Sequence, residues 1–418
     1  MSNSMADNFT GAQRRCQICK GTKLTEVLSL GNQPIVQKYL SQKELLEPEV
    51  MYPLAIMYCG TCGLLQLNYI VDPKRVFPAD YPYRSGLTNM LIRNFEELAG
   101  SLQKSGYINK GDLVVDIGSN DGTLLKPFKA RGARVVGVEP TDAAKVANKA
   151  GIKTLQEFLS SKSVKKIIAS FGKAKIITAT NVFAHINDTD SLVRNIKALM
   201  NRDSIFISES QYLMDIIEKL EFDTIYHEHL RFYALKPLVK LFALHGLSLV
   251  DAERISAAGG SIRVYAKLGK HPMSIRARKL IQAEERAGLY NEKKLRAFGE
   301  RAYKAKIDLL SLLLKCKKEG ANIAGLSSSA RSNTLLGFCH IDTAILDYAG
   351  EKNGSPKIGL YTPGTHIPVA DEARIFREQP DYLLVLSWHI GAELIKIMKK
   401  VGYKGKFILP LPTPKIVS

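Results

Sequence analysis

From residue 111 the sequence alternates short apolar runs, glycine turns and helical stretches, and this alternation narrows the possible folds more than any other feature. The runs 113–117, 134–138 and 176–179 read as strands, and 124–130 and 143–150 as the helices between them. Strands separated by helices cannot pair as hairpins, so they build a parallel sheet covered by helices on both faces. Strand-like runs at 205–208 and 261–266, with an amphipathic helix near 214–220, carry this unit to about residue 267.

Six cysteines flank and follow it, and four of them form two close pairs, Cys16-Gln17-Ile18-Cys19 and Cys59-Gly60-Thr61-Cys62. Cys316 and Cys339 stand alone. No apolar stretch reaches the roughly 18 residues that cross a bilayer, and the start lacks an apolar signal core. A cytoplasmic chain without a membrane partner is therefore expected. In such a compartment paired CxxC knuckles read as thiolate ligands of one tetrahedral Zn2+, with two redox pairs as the alternative. Four protein sulfurs fill the coordination shell, so the zinc is structural.

The remaining segments differ in pattern. Residues 1–75 combine the cysteine pairs with a turn-rich stretch, Leu30-Gly31-Asn32-Gln33-Pro34, and an alternating run 54–67, which reads as a small β-rich module. Helical spacing of Leu91, Ile92, Phe95 and Leu98 follows a loop at 79–86. After His271-Pro272 comes a long charged helical region to about Cys316, then a second strand, loop and helix series at 322–338, with strand-like runs at 344–348 and 382–386. At 418 residues the chain exceeds one core. The expectation is an α/β protein of three units: a zinc module over 1–75, a Rossmann-like domain over 76–267, and a smaller α/β domain over 268–418.

The net charge of +19 permits an anionic partner, but the lysines are spread along helical stretches such as 162–175 and 293–318. No basic surface interleaved with aromatics is visible, so nucleic acid is not expected as a partner, while a diphosphate is compatible. Nothing in the sequence requires a dimer, and a monomer is expected.

The loop Asp116-Ile117-Gly118-Ser119-Asn120-Asp121-Gly122 places a carboxylate late in a strand and glycines before a helix, and Glu139 follows Asp116 by 23 positions at the end of the next strand. Sheets of this kind bind ligands outside the carboxyl ends of their strands. The GxGxxG spacing that seats a pyrophosphate is absent, and Asp116 and Asp121 would repel one. They suit the sulfonium and ammonium groups of S-adenosylmethionine, with Glu139 on the ribose. A glycine turn that binds nothing is the alternative.

Residues 222–229, Phe222-Asp223-Thr224-Ile225-Tyr226-His227-Glu228-His229, concentrate proton-transfer groups. A histidine here could take a weakly acidic C–H proton, as carbon methylation requires. A metal pair is disfavoured because HExxH spacing is missing and positions 227 and 229 share no helix face. A purely structural hydrogen-bonded loop stays open.

These motifs, with Tyr81-Pro82-Tyr83-Arg84-Ser85, GVEPT at 137–141, NVFAH at 181–185 and GGSIRVYA at 259–266, resemble the sugar C-methyltransferases of antibiotic deoxysugar pathways, which methylate C3 of a dTDP-4-keto-deoxysugar. The likeness runs from about Cys16 to Pro412. It implies an N-terminal zinc domain, a central S-adenosylmethionine domain and a C-terminal domain that helps hold a nucleotide-sugar. It further implies His229 as base, assisted by Tyr226, Glu228 and His185, with Glu228 orienting the base. Asp116, Gly118, Asn120, Gly122, Glu139 and Asn181 would face the cofactor. Tyr81, Tyr83, Ser85, Arg263, Arg331, Asn333, Lys352, Tyr361 and His366 would face the substrate, Arg331 through a bidentate phosphate pair. The segment holding Tyr361 and His366 reads equally as a packed Pro-Gly turn. Two departures bear on the substrate: Ala258 stands where a histidine is expected, and Ser327-Ser328-Ser329-Ala330-Arg331-Ser332-Asn333-Thr334 replaces a GAPAKGNTLL-like loop. A nucleic-acid methyltransferase and a non-catalytic S-adenosylmethionine-binding homologue are the rival functions.

Overall fold

Val114, Val115 and Ile117 are almost wholly inaccessible because their strand, Leu113–Ile117, lies in the middle of a seven-stranded sheet. The computed structural model describes residues 10–418 apart from Pro82 and Thr88. The first nine residues, Pro82 of the Tyr81–Ser85 stretch and the side chain of Ala258 lie outside the described residues. The sheet runs Leu247–Ile255, Ser261–Leu268, Met200–Gln211, Ala174–Thr180, Leu113–Ile117, Arg134–Val138, Thr154–Leu155. The last five are mutually parallel; Ser261–Leu268 lies antiparallel to both of its neighbours. From Leu113–Ile117 the chain winds outward to one edge and returns on the other side at Ala174–Thr180, which opens a crevice outside the carboxyl ends of these two strands.

The run at 205–208 is the middle of a longer strand, Met200–Gln211, with a bulge between Met200 and Ile205. The run at 344–348 is not a strand. It forms a turn with Ile345 and Leu346 buried, and pairing begins at Ala349–Glu351. Short apolar runs do not distinguish these cases, since burial alone conserves neither period.

Residues 54–67 fold as a hairpin, Tyr52–Cys59 against Leu65–Leu67, with the second cysteine pair in the turn and Gly63 at φ +80°. Leu24–Gln33 pairs on one side, and on the other Arg231–Phe232, directly after the histidine cluster, adds a fourth antiparallel strand. Helix Glu292–Lys318 crosses this sheet closely; a Cβ on Gly299 would fall 2.2 Å from the carbonyl oxygen of Val27. One apolar core runs from Leu28 and Ile56 through Phe298 and Leu309 to Leu336 and Ile408. It joins the hairpin sheet to a six-stranded C-terminal sheet, Val369–Asp371, Ala349–Glu351, Ile323–Leu326, Tyr382–Val385, Lys406–Leu409, Lys415–Val417, parallel except for the last strand. Among the described residues no helix is long and apolar enough to cross a membrane.

Candidate active site

A single turn at Phe222–Thr224 starts the histidine loop, and the backbone N–H of Leu230 ties its end to the Ala184 carbonyl at 3.1 Å. His229 Nδ1 lies 2.6 Å from the Thr224 carbonyl oxygen. A carbonyl only accepts, so Nδ1 carries the hydrogen and Nε2 keeps a lone pair. Burial lowers this imidazole from its ordinary value to about 4, with a smaller contribution from the Arg331 charge, so it is neutral at physiological pH. Orientation of His229 thus comes from Thr224, whereas the resemblance implied Glu228.

Around it stand the Tyr226 ring at 4.0 Å and the His185 ring at 5.0 Å between centroids. His185 is held well below its usual range by burial, then by the neighbouring His229 and Arg231. Phe77 stacks on its far face at 5.7 Å with planes 13° apart. Glu228 accepts a hydrogen bond from the Tyr81 hydroxyl at 2.7 Å, and its second oxygen is buried without a partner. Burial pushes the Glu228 carboxyl up to about 7. His227 turns the opposite way, its Nε2 3.2 Å from the Pro53 carbonyl and its ring edge-on to Tyr52. The two histidines of the HxH pair therefore serve different neighbours, and among the described residues only the four paired cysteines gather as a metal-binding group.

The glycine loop sits at the crevice. Gly118 and Gly122 have φ +68° and +77°, and a Cβ on Gly118 would come within 2.3 Å of Val182. Asn120 and Asn181 are also left-handed, at φ +49° and +55°. Glu139 accepts from the Asn120 amide at 3.0 Å and from the Thr141 amide and hydroxyl at 2.9 and 2.6 Å. Asp116 accepts from the Thr178 hydroxyl at 2.6 Å, and burial, with Glu139 and Glu209 nearby, raises it to about 7. Two buried carboxylates and the unpartnered hydroxyl of Ser119 favour a ligand that brings positive charge and hydroxyl groups. Asp121 is committed to the loop itself, accepting from the Gly86 amide at 2.9 Å and the Thr123 hydroxyl at 2.6 Å.

Two segments join the glycine loop to the histidines. In 81–86, the Ser85 amide donates to Asn120 Oδ1 at 3.0 Å while Tyr81 holds Glu228. In 181–185, Val182 covers Gly118 and His185 meets His229. Tyr83 is exposed, and its carbonyl accepts from Asn120 Nδ2 at 3.2 Å.

The other substrate candidates are distributed differently. Arg331 makes its bidentate pair with Asp223, at 3.0 and 2.8 Å, and its Nη1, which has no hydrogen-bond partner, faces the buried Glu221 carboxylate at 3.6 Å. Asn333 donates to the Val36 carbonyl at 2.7 Å, with its Oδ1 buried and unpartnered. Arg263 is tied to Glu209 at 2.5 Å, Glu253 at 3.0 Å and Asn94 at 2.9 Å. Lys352 is exposed, Tyr361 bridges to Leu40, and His366 lies 3.1 Å from Glu49. Phe77 and Glu209 stand in no pattern specific to chemistry, and Asp223 and Thr224, although inside the 222–229 cluster, carry their roles through partners that only the fold brings near. Near Arg331, Tyr39 and Ser328 share a 2.9 Å hydrogen bond, with the Lys357 ammonium 5.2 Å from the Tyr39 ring.

Where the two knuckles meet, the four Sγ atoms all lie within 4.8 Å of one another, with Cys16–Cys62 at 3.5 Å and Cys19–Cys59 at 3.6 Å. Tetrahedral Zn–S bonds of about 2.3 Å require sulfurs roughly 3.8 Å apart, so the set fits zinc. The Cys62 hydrogen bond draws Cys16 down to about 5, and burial pushes Cys19 up to about 11; only a cation lets all four ionise together.

Three family models match the chain in order: a zinc binding domain over residues 16–77, a methyltransferase domain over 83–252 and a C-methyltransferase C-terminal domain over 256–412. The C-methyltransferase NovU of Streptomyces niveus is 29% identical over 407 residues, which is 96% of each chain. Among solved structures, the magnesium protoporphyrin IX methyltransferase of Synechocystis PCC 6803 with bound S-adenosylmethionine is 16% identical, covering 48% of this chain and 99% of that one, at a TM-score of 0.36. The 1,6-didemethyltoxoflavin N1-methyltransferase of Burkholderia thailandensis is 15% identical, covering 43% and 78%, at a TM-score of 0.33.

Proposed function

We propose that this chain, which belongs to the S-adenosylmethionine-dependent C-methyltransferases that carry a zinc-binding domain, methylates the carbon next to the ketone of a nucleotide-linked 4-keto-deoxysugar, with C3 as that carbon. The observation that carries this reading is the neutral His229 with Nε2 free, linked through segments 81–86 and 181–185 to the glycine loop. Methylation of a nitrogen needs no such base; methylation of an unactivated carbon does.

S-adenosylmethionine supplies a methyl group on a sulfonium leaving group. Glu139 takes the ribose hydroxyls on the lone pairs its amide donors leave open, and Asp116 offsets the positive charge. Asn181 and Asn120 shape the wall that excludes water. On the sugar, His229 Nε2 accepts the proton α to the ketone, and the electron pair moves toward the ketone oxygen. Tyr226 and His185 donate to that oxygen, where charge develops. A donor held at the glycine loop would give its methyl to this carbon as the S–CH3 bond breaks and the bonding pair stays on sulfur, and the proton leaves from His229 to solvent after product release.

Arg331 Nη1 and the polar group of Tyr39, Ser328, Asn333 and Lys357 are the side chains for the nucleotide diphosphate. Tyr81, Tyr83 and Ser85 cover the sugar. Residues 1–75, 76–267 and 268–418 act as zinc, donor and nucleotide units, and the same reading takes the enzyme as a cytoplasmic monomer with a small-molecule substrate. The test is mass spectrometry of the protein with methyl-labelled S-adenosylmethionine and a panel of nucleotide 4-keto-sugars. A gain of one labelled methyl on carbon supports the reading; cofactor binding with no gain on any keto-sugar rejects it.

A further inference from the structure

Arg231 is 1% exposed, and among the described residues no carboxylate lies within ion-pair distance of it. A guanidinium buried among neutral acceptors is costly, so its position calls for a physical reason. Its acceptors supply one. Nε donates to the Tyr233 hydroxyl at 3.0 Å, Nη2 to the Ile186 carbonyl, and Nη1 to the Gln17 side-chain oxygen at 2.6 Å and, at 3.5 Å, the Asn187 carbonyl.

Each of these neighbours belongs to something that matters. Ile186 and Asn187 directly follow His185, and Arg231 itself is two residues beyond His229. Gln17 lies inside the first cysteine knuckle, between Cys16 and Cys19. The knuckle side is equally constrained. The Gln17 amide donates to the Gln66 side chain at 2.7 Å, Gln66 pairs in register with Arg231, and the Gln17 carbonyl accepts from Lys20 at 3.0 Å and Thr189 at 3.3 Å. A rigid planar fork thus spans from the metal knuckle to both histidine-bearing segments.

We propose that Gln17 and Arg231 form a positioning pair through which the zinc knuckle holds His185 and His229 at their mutual distance. The knuckle then serves the chemistry as well as the stability of the N-terminal unit, in the way that groups behind a reacting side chain fix its orientation. The same charge helps keep His185 neutral, after burial and His229. The inference rests on the reading of these two histidines as the reacting pair.

The test uses the full-length zinc-loaded protein and the variants Gln17→Ala and Arg231→Lys, the second keeping the charge and losing the fork. Histidine-selective ¹⁵N NMR reports the two imidazoles independently of turnover. Both variants are expected to hold one zinc per chain, to shift the His185 and His229 resonances, and to lose about 10–100-fold in kcat with KM changed less. Zinc withdrawal from the unsubstituted protein should move the same two resonances. Either folded variant with unshifted imidazoles overturns the proposal, whatever its kcat. Should Gln17→Ala fail to fold, Arg231→Lys decides alone. Failure of His229 as base would appear instead as methylation by His229→Asn, with the NMR coupling intact.

Discussion

His229 Nδ1 and the Thr224 carbonyl oxygen are 2.6 Å apart, and this contact settles which imidazole nitrogen is available for chemistry. Thr224 lies in the turn that Asp223 anchors to Arg331 of the C-terminal unit. The orientation of this imidazole is therefore built from both the central and the C-terminal parts of the chain, with Nε2 kept as the acceptor.

Burial that lowers His229 to about 4 has a consequence for titration. NMR of the ligand-free protein should find this imidazole neutral at pH 5.5, whereas exposed histidines there are largely protonated, near a reference value of about 6.5. Its folded value lies below its unfolded one, so its contribution to stability is complete above about 6.5 and is lost as pH falls toward about 4. Titration of His229 near 6.5 would contradict the burial.

Asp116, raised to about 7 mainly by burial, should make cofactor affinity depend on pH. A sulfonium favours the ionised carboxylate, so binding below pH 7 releases a proton and weakens by up to about tenfold per pH unit. Calorimetry between pH 5.5 and 8 checks this, and Asp116→Asn should flatten the dependence. Without ligand the sign reverses: the folded value exceeds the unfolded one near 4, so this group's contribution falls as pH rises from about 4 to about 7.

Gly118→Ala places a side chain where φ is +68° and where Val182 leaves 2.3 Å. Left-handed backbone costs a non-glycine residue about 1–2 kcal/mol, and the loop must also shift. S-adenosylmethionine should bind at least about tenfold more weakly, the equivalent of about 1.4 kcal/mol. Gly111→Ala, at φ +88° with open space around it, is the control that strains the backbone and leaves affinity unchanged. Equal affinities for both variants would refute the close approach.

Asp223→Asn removes the carboxylate that Arg331 and the Trp388 indole both donate to. Breaking one side of a buried pair costs about 3–5 kcal/mol, which should appear as a clear drop in thermal midpoint. A change within about 0.5 kcal/mol, the range of ordinary surface substitutions, would show the pair to be unimportant.

The sequence carried the parts of this site whose chemistry is local. The cysteine spacing, the Asp116–Gly122 loop with Glu139, and the cluster ending at His229 are each short patterns in which residue type and separation dictate geometry. What escaped depends on long-range pairing. Residue type alone does not separate His227 from His229, which only the resemblance singled out; His227 faces Pro53 because the following strand, Arg231–Phe232, joins the hairpin sheet. Arg263 looked free to bind substrate, yet it lies directly opposite Glu209 on the neighbouring strand, a register that only the folded sheet defines. Arg331 stood in the phosphate loop, but a carboxylate 108 positions earlier takes its fork.

In the proposed function His229 removes a carbon-bound proton before the methyl is transferred. The direct measurement is exchange of that hydrogen with D2O, followed by NMR or mass spectrometry, in the presence of keto-sugar and S-adenosylhomocysteine so that no methyl can move. The unsubstituted protein should exchange one hydrogen at the carbon next to the ketone and His229→Asn none. Exchange at the same rate in His229→Asn would contradict His229 as the proton acceptor.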